Sequence, residues 1–152
     1  MNILFKKIQK YKKKIAFIEN KSQFSFSDVF QDIKKINTFI KNHSIILILA
    51  DNDYCSIVSY LASMKQDNIT MLLNSSYDNS YLQKMICLYH PRYIFCNKRL
   101  AKTLKGKKLL TIKNAVLIET NFKEKNLNFK NYLLLTTSGT TGNPKVVRLS
   151  KE

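Results

Sequence analysis

The sequence predicts a single α/β domain built on a doubly wound, largely parallel sheet. Continuous apolar runs such as residues 45–50 are typical of strands that are buried on both faces. Amphipathic segments follow several of these runs, and strands that alternate with helices predict parallel pairing through crossover connections. The chain of 152 residues is 45% hydrophobic, which suits one domain with a buried core.

The first part of the chain is predicted to form a helix, two short extended segments and a second helix. Apolar spacing at i, i+4 and i+7 defines the first helix, and alternation of Phe with Ser defines the second extended segment. Asp28 with Gln31 resembles a capping box at the start of the second helix. Its apolar positions are Val29, Ile33, Ile36 and Ile40. The predicted segments are a helix over 3–13, a strand over 15–19, an extended segment around Phe24 and Phe26, and a helix that continues to residue 42.

From residue 44 onward, apolar runs and helical patterns alternate regularly. Polar residues 51–53 offer caps for a helix, and Pro91 ends a second helix that begins at Tyr81. The apolar positions of the first of these helices are Ile57, Val58, Leu61 and Met64. The predicted strands are 44–50, 69–73, 92–96, 108–112, 115–119, 132–136 and 146–149, with loops at 74–80 and 119–131 and a weak helical turn within 97–108.

The chain is strongly basic, because 26 Lys and Arg residues against 10 Asp and Glu residues give a net charge of +16. Such a charge favours an anionic partner, such as nucleic acid or polyphosphate. However, Lys greatly outnumbers Arg and the lysines are spread along the whole chain, which is typical of a solvated surface. We expect no nucleic-acid partner. A basic, non-enzymatic module that binds nucleic acid or polyphosphate by charge is the alternative hypothesis.

Neither a metal site nor a membrane span is expected. The three cysteines lack a C-x-x-C spacing, and His43 and His90 fit no zinc pattern. The thiols are therefore interpreted as reduced and mostly buried side chains. The longest apolar run is far shorter than the ~18 residues that span a bilayer, and the first residues lack the cleavage site of a secretory signal. We expect a cytoplasmic protein.

Two acidic residues at the carboxyl end of the strand over 44–50 admit two interpretations. Asp51 and Asp53 occupy a position where α/β proteins often bind ligands, so they could serve chemistry. Residues of this type between a strand and a helix are more often helix caps, and no third carboxylate or His is near in sequence. Capping is the favoured interpretation.

Residues 137–145, TSGTTGNPK, contain two of the three glycines of the chain and join two predicted strands. Glycines permit positive φ and close approach of the backbone to a ligand, while hydroxyl groups and a lysine suit a polyphosphate. The pattern is not the common P-loop, in which Lys directly follows the last Gly, and a hairpin turn without a ligand is the alternative. The candidate phosphate-binding residues are Thr136, Thr137, Ser138, Gly139, Thr140, Thr141, Gly142 and Lys145.

The run TTSGTTGNPK over residues 136–145 resembles the phosphate-binding signature of the adenylate-forming (AMP-binding) superfamily, which includes acyl-CoA synthetases and peptide synthetase adenylation domains. Residues 46–96 look like the early strand–helix–strand–helix–strand segment of that family, and residues 24–33 look like its preceding helix start. The chain departs from the family at Val146, where Gly is common, and at Lys151, where His is frequent.

The resemblance implies an ATP-dependent, AMP-forming carboxylic acid ligase, which makes an acyl-adenylate and pyrophosphate and usually transfers the acyl group to a thiol. It implies ATP and Mg²⁺, with the loop holding the β- and γ-phosphates and Lys145 offsetting their charge. In the family, the adenine, ribose and acid contacts and a catalytic lysine follow this loop. Residues 1–152 would then be the N-terminal portion of an adenylation domain, an incomplete large domain that ends just after the loop, with no second domain.

We expect such a chain to be inactive alone and to need a missing C-terminal portion or a partner chain. A truncated gene product, a partial sequence and one part of a split enzyme all fit this expectation, and a decayed remnant is a further hypothesis. Neither the acid nor the thiol acceptor can be assigned from these residues.

Overall fold

A computed structural model of the chain describes residues 6, 10–123, 131–136 and 146–150. Within these residues, nine strands and three helices form a two-stranded hairpin and a seven-stranded sheet. The elements are β1 Ile15–Glu19, β2 Ser22–Ser25, α1 Phe26–Asn37, β3 Ile45–Ala50, α2 Tyr54–Lys65, β4 Ile69–Asn74, α3 Asn79–Tyr89, β5 Tyr93–Asn97, a 3-10 turn Leu100–Lys102, β6 Lys107–Ile112, β7 Ala115–Glu119, β8 Asn131–Thr136 and β9 Val146–Ser150.

The seven-stranded sheet has the order β6-β7-β5-β3-β4-β8-β9. Its central strands are parallel, because β3 pairs with β4 and β5, and β4 pairs with β8. At the two sides, β7 pairs antiparallel with β5 and β6, and β9 pairs antiparallel with β8. The prediction of a largely parallel α/β sheet is confirmed, with antiparallel strands at both edges.

Helices cover both faces of the parallel strands, as expected for a doubly wound sheet. Alternate residues of β3 separate the two cores. Ile46 and Ile48 pack in the core that contains α1 and α2, whereas Leu47 and Leu49 pack in the core that contains α3. Full burial of each such side chain contributes about 1.5–3 kcal/mol. Burial on two sides therefore accounts for the continuous apolar run of this strand.

Helix α1 begins earlier than the sequence predicts, because its cap is Ser25 rather than Asp28. The Ser25 hydroxyl accepts a hydrogen bond from the Asp28 amide at 3.2 Å, and the Asp28 carboxylate accepts one from the Ser25 amide at 2.7 Å. This reciprocal pair is a capping box with Asp in the place of Glu or Gln. Phe26, predicted in the extended segment, is the first helical residue instead. The predicted apolar positions Val29, Ile33, Ile36 and Ile40 are all buried.

Helix α2 buries a different face from the predicted one. Val58 is buried as predicted, but Ile57 is exposed, and Leu61 and Met64 are half-buried. Small side chains on the buried face fit between the sheet and α1, and the Ser63 hydroxyl forms a hydrogen bond of 2.6 Å with the Thr70 hydroxyl of β4. The buried residues of α2 are Tyr54, Cys55, Val58, Ser59, Ala62 and Ser63.

Helix α3 begins at Asn79, earlier than predicted, because Asp78 caps it by accepting a hydrogen bond of 2.8 Å from the Tyr81 amide. It ends at Tyr89, one residue short of the predicted helix, which ran to His90 before Pro91, and His90 adopts a left-handed conformation with φ of 50°. A left-handed residue is a common end of a helix.

Two predicted segments extend beyond the described residues. Of the helix predicted over 3–13, the structure describes residues 6 and 10–13, and Lys6 and Lys10 are helical. The loop predicted over 119–131 is described as far as residue 123 and from residue 131. The weak helical turn predicted within 97–108 is the 3-10 turn.

Candidate functional site

The carboxyl ends of the four parallel strands lie along one edge of the sheet, where α/β proteins commonly bind ligands. The chain leaves β3 toward α2 on one face and leaves the adjacent β4 toward α3 on the other face. Such a divergence opens a crevice at the strand ends. The polar residues at this edge are, in spatial order, Asn97 at the end of β5, Asp51 after β3, Ser75 after β4 and Thr136 at the end of β8.

Asp51 connects the ends of three strands. Its carboxylate accepts a hydrogen bond of 2.8 Å from Asn97 Nδ2 and another from the hydroxyl of Ser75. The cap of α2 is Asp53, which accepts a hydrogen bond of 2.8 Å from the amide of Ser56. The capping prediction is therefore confirmed for Asp53 and wrong for Asp51. The Asp51 side chain instead accepts hydrogen bonds from residues at the ends of two other strands.

Metal ligation finds no support in the described part of the chain, where no group of three or more His, Cys, Asp or Glu side chains could hold an ion. His90 instead stacks on Phe122, with ring centroids 4.6 Å apart and an interplanar angle of 6°. Among the helices described, none combines the length and the apolar character that crossing a bilayer requires.

The three thiols lie in two kinds of environment. Burial raises the pKa of Cys96 to about 12, and the neighbouring carboxylate of Asp51 adds to this shift. Burial also raises the pKa of Cys55. Both side chains are buried as expected, whereas Cys87 is exposed on α3. A thiol that stays protonated is a poor ligand and a poor nucleophile, which fits a packing role for the two buried cysteines.

Thr136 is the candidate phosphate-binding residue that the structure describes. It is the last residue of β8 and pairs with Val146, the first residue of β9. The nine residues 137–145 thus join two adjacent antiparallel strands, a connection longer than the usual hairpin loop of about 2–5 residues. The other candidates, Thr137, Ser138, Gly139, Thr140, Thr141, Gly142 and Lys145, lie outside the described residues.

Tyr81 of α3 packs against the core on the α3 side of the sheet, which sequence reasoning missed. Its ring contacts the same core as Leu134 of β8 and Val146 of β9. Because side chains alternate along a strand, Thr136 lies on the same face of β8 as Leu134. In the sequence, Tyr81 follows Tyr77 by four residues in a segment that passes from a loop into a helix. This spacing carries no information about contact with β8.

A cavity of about 490 Å³ lies elsewhere on the α3 side of the sheet. Its walls come from α3, β5 and the segments 103–105 and 120–122, and the exposed Cys87 is among them. A smaller crevice of about 10 Å³ beside Asp51 and Asn97 has room for roughly one water molecule. Among the described residues, those that line these two spaces do not belong to β8 or β9.

Comparison with known families matches residues 4–152 to the family described as AMP-binding enzyme. The chain belongs to the AMP-binding enzyme family. Membership of this AMP-binding family agrees with the resemblance noted in TTSGTTGNPK, and the match extends over nearly the whole chain. No curated protein matches this AMP-binding chain.

Three solved structures share the fold of the AMP-binding chain. A luciferase-like enzyme from the mealworm Zophobas morio has a TM-score of 0.70 and 20% identity, over 97% of this chain and 41% of its own. The o-succinylbenzoate CoA synthetase (MenE) of Bacillus subtilis, in complex with the acyl-adenylate intermediate OSB-AMP, has a TM-score of 0.68 and 19% identity, over 98% and 42%. The N-terminal subdomain of Klebsiella oxytoca NpsA has a TM-score of 0.64 and 19% identity, over 97% and 41%. The AMP-binding chain therefore spans less than half the length of these structures.

Proposed function

We propose that this chain carries the triphosphate-binding loop of an ATP-dependent, AMP-forming carboxylic acid ligase. The observation that supports the proposal most strongly is the pairing of Thr136 with Val146 at the carboxyl edge of the parallel strands. The connection between these two residues contains two glycines, four hydroxyl residues and Lys145. Backbone amides, hydroxyl groups and a lysine are the donors that a polyphosphate requires.

The class of reaction is supported by the family and by one of the similar structures. That structure is a CoA synthetase that holds an acyl-adenylate. An acyl-adenylate forms when a carboxylate oxygen attacks the α-phosphorus of ATP and the bond to the bridging oxygen breaks. Pyrophosphate leaves with the electron pair of that bond. We infer this reaction class for the enzyme to which the chain contributes, without assigning the acid.

The role proposed for residues 137–145 is to stabilise the charge that develops on the leaving pyrophosphate. Amide and hydroxyl donors would bind the β- and γ-phosphate oxygens, and Lys145 would offset their negative charge. One preorganised donor of this kind can be worth about 3 kcal/mol in the transition state. Thr136 would supply the first hydroxyl, at the point where β8 ends.

Mg²⁺ is proposed to arrive with the nucleotide. The ion prefers oxygen ligands and is usually held by substrate phosphates together with few protein groups. In the part of the chain that the structure describes, no cluster of acidic or histidine side chains could hold it alone. The hydroxyl oxygens of the loop are chemically suitable additional ligands.

The acid, adenine and ribose contacts are proposed to come from other segments, in the same polypeptide or in a partner chain. The similar structures are more than twice as long as the part that this chain matches, which supports such a division. Positioning of both reactants supplies much of the rate enhancement of a two-substrate reaction. We therefore expect the 152 residues alone to bind MgATP weakly and to form no acyl-adenylate.

The test is calorimetric binding of MgATP and of pyrophosphate to the 152-residue chain. Lys145→Ala is expected to abolish measurable binding of both ligands. Lys107→Ala is the matched control, because Lys107 is an exposed lysine of β6 at the opposite edge of the sheet. This control is expected to bind both ligands like the unchanged chain.

Two outcomes would contradict the proposal. Equal weakening by Lys145→Ala and Lys107→Ala, with a steep dependence on salt, would indicate attraction by net charge alone. Acid-dependent exchange of pyrophosphate into ATP by the isolated chain would contradict the proposed need for further segments.

A further inference from the structure

The outer face of the β1–β2 hairpin exposes two isoleucines, Ile15 at 51% and Ile18 at 68%. The two residues are three apart in sequence, but the register of the hairpin shifts between Ile15 and Phe17. Ile15 therefore pairs with Ser25, and Ile18 pairs with Gln23. Because Ser25 and Gln23 are two residues apart on β2, they share a face of the hairpin, and so do their partners. Two exposed isoleucines on one face form a local apolar surface, unlike apolar residues that are scattered singly.

The opposite, inner face of the hairpin fixes its orientation. Phe17 pairs with Phe24 on this face. The Phe24 ring stacks on the buried Tyr54 of α2 with centroids 4.0 Å apart, and the Phe17 ring meets Tyr54 edge-on at 6.0 Å. Both phenylalanines pack against the core that contains α1 and α2. Ile15 and Ile18 are consequently directed away from this core.

Lysines flank the two isoleucines on both sides in sequence. Residues 10–21, all of which the structure describes, contain five lysines against one acidic residue, a net charge of +4. The acidic residue, Glu19, is half-buried and follows Phe17 by two positions, which places it on the inner face. The outer surface of this segment is therefore basic. Its exposed lysines are Lys10, Lys12, Lys13, Lys14 and Lys21.

The lysine-bearing turn before β1 is held in place by the start of α1. The carbonyl oxygens of Lys12 and Lys14 accept hydrogen bonds of 3.0 Å from the amides of Ser27 and Phe26, respectively. The Tyr11 ring lies 6.5 Å from the ring of Phe26, and Lys14 Nζ lies 4.8 Å from the centroid of the Tyr11 ring. The fold thus keeps the basic turn next to the strand that carries the exposed isoleucines.

We propose that this surface, formed by Ile15, Ile18 and the five lysines, docks on an anionic lipid bilayer. The lysines would meet the negatively charged headgroups, and the two isoleucines would enter the boundary between headgroups and acyl chains. The inference goes beyond the proposed function, because it uses none of the residues 136–146.

Charge and composition favour a bilayer over two other partners. A second copy of this chain also carries a net charge of +16, so like charges oppose association of two such surfaces. Residues 10–26 contain no arginine, the residue that is best suited to paired hydrogen bonds with the phosphates and bases of nucleic acids. Exposed isoleucines gain little from a phosphate backbone, whereas a bilayer offers both negative charge and an apolar interior.

Cosedimentation with lipid vesicles tests the contribution of the lysines. The 152-residue chain is expected to bind phosphatidylcholine vesicles that contain phosphatidylserine and not those of phosphatidylcholine alone. Lys12→Gln with Lys13→Gln is expected to weaken binding about fivefold for each lysine. The matched control is Lys84→Gln with Lys102→Gln, which removes the same charge from exposed positions in α3 and the 3-10 turn. This control is expected to bind several times more tightly than the first variant.

Fluorescence tests the contact of the isoleucines. The chain contains no tryptophan, so Ile18→Trp introduces a single reporter at the proposed contact. Phosphatidylserine-containing vesicles are expected to shift its emission to shorter wavelength, and brominated lipid is expected to quench it. Leu88→Trp is the matched control, because Leu88 is 59% exposed on α3, and it should show neither effect. Thermal unfolding without vesicles checks that both variants are folded.

Three results would overturn the inference. Equal weakening by the two pairs of lysine substitutions, with no emission shift in Ile18→Trp, would indicate attraction by net charge alone. Binding to single-stranded RNA that is weakened by Lys12→Gln with Lys13→Gln, without binding to vesicles, would assign the surface to nucleic acid. Self-association of the chain that Ile18→Ser abolishes, without vesicle binding, would assign it to a second copy. Each of these results leaves the dependence of MgATP binding on Lys145, and thus the proposed function, to be decided separately.

Discussion

The side-chain amide of Asn97 donates a hydrogen bond of 2.8 Å to the carboxylate of Asp51. Asn97 ends β5 and Asp51 follows β3, so the bond joins the ends of two neighbouring parallel strands. The hydroxyl of Ser75, after β4, donates to the same carboxylate. One side chain thereby connects three of the parallel strands at the edge where the candidate site lies.

Asp51→Ala is expected to lower the free energy of unfolding by about 1–3 kcal/mol, because Asn97 and Ser75 lose their acceptor. Urea denaturation measures the change. Combined with Asn97→Ala in a double-mutant cycle, it should give a coupling energy of about 0.5–3 kcal/mol. Asn121→Ala, at an exposed asparagine, is the control and should be nearly neutral. Strictly additive effects of the two substitutions would rule out the bridge as an energetic contact.

Ser25→Ala is expected to destabilise the protein by about 1 kcal/mol, because it removes one side of the capping box of α1. Thermal or urea unfolding measures the loss. Ser22→Ala removes an exposed hydroxyl from the adjacent strand β2 and serves as the control. A Ser25→Ala variant as stable as this control would show that the cap contributes nothing.

Protonation of Asp28 at acidic pH should lower the free energy of unfolding. Hydrogen bonds from the side chain and the backbone of Ser25 hold its pKa below the ordinary 3.8. Such a carboxyl group stabilises the folded protein above its unfolded pKa, and the contribution is lost as the pH falls through the folded pKa. NMR titration should therefore show a depressed pKa for Asp28 that returns toward 3.8 in Ser25→Ala. The pKa of Asp78, which is lowered chiefly by the Ser80 side chain, should stay low in that variant; a parallel rise of both would contradict this local cause.

The cysteines should react with an aromatic disulfide reagent at very different rates. Cys87 is exposed, whereas Cys55 and Cys96 are buried and burial raises their pKa. At mildly alkaline pH we expect one fast-reacting thiol in the folded chain and three in urea, since only a thiolate attacks. Cys87→Ser should remove the fast phase. Persistence of that phase in the variant would mean that a buried cysteine is reached through local opening.

The strands of the sheet were predictable because burial on both faces leaves a run of apolar residues such as 45–50. The return of the chain along β9 was also predictable from the residues that flank the glycine pair. The buried face of α2 was not predictable in this way. The helix buries Ser59 and Ser63, which are polar but small enough to fit there. Hydrophobic spacing selects large apolar side chains and therefore pointed to Ile57, which is exposed.

The sequence predicted the position of the candidate site better than it predicted the contacts around that site. Thr136 lies at the end of a strand as its sequence context predicts. Asp51 was interpreted as a cap because the sequence alone does not distinguish an aspartate that caps a helix from one that connects strand ends. The positions of Ser75 and Asn97 in the fold make this distinction. The packing of Tyr81 against a core that includes Leu134 of β8 depends on the pairing of β4 with β8, which no local pattern encodes.

The position of β8 beside β4, on the far side of the sheet from β7, has a consequence for how the motif can be studied. Pairing between strands so distant along the chain slows folding. A synthetic peptide that contains only β8, β9 and the residues between them would include the whole TTSGTTGNPK motif. It would lack β4, the strand that pairs with β8. Under the proposed function, MgATP binding should therefore appear in the same cooperative transition as global folding, and it could serve as an assay of completed assembly.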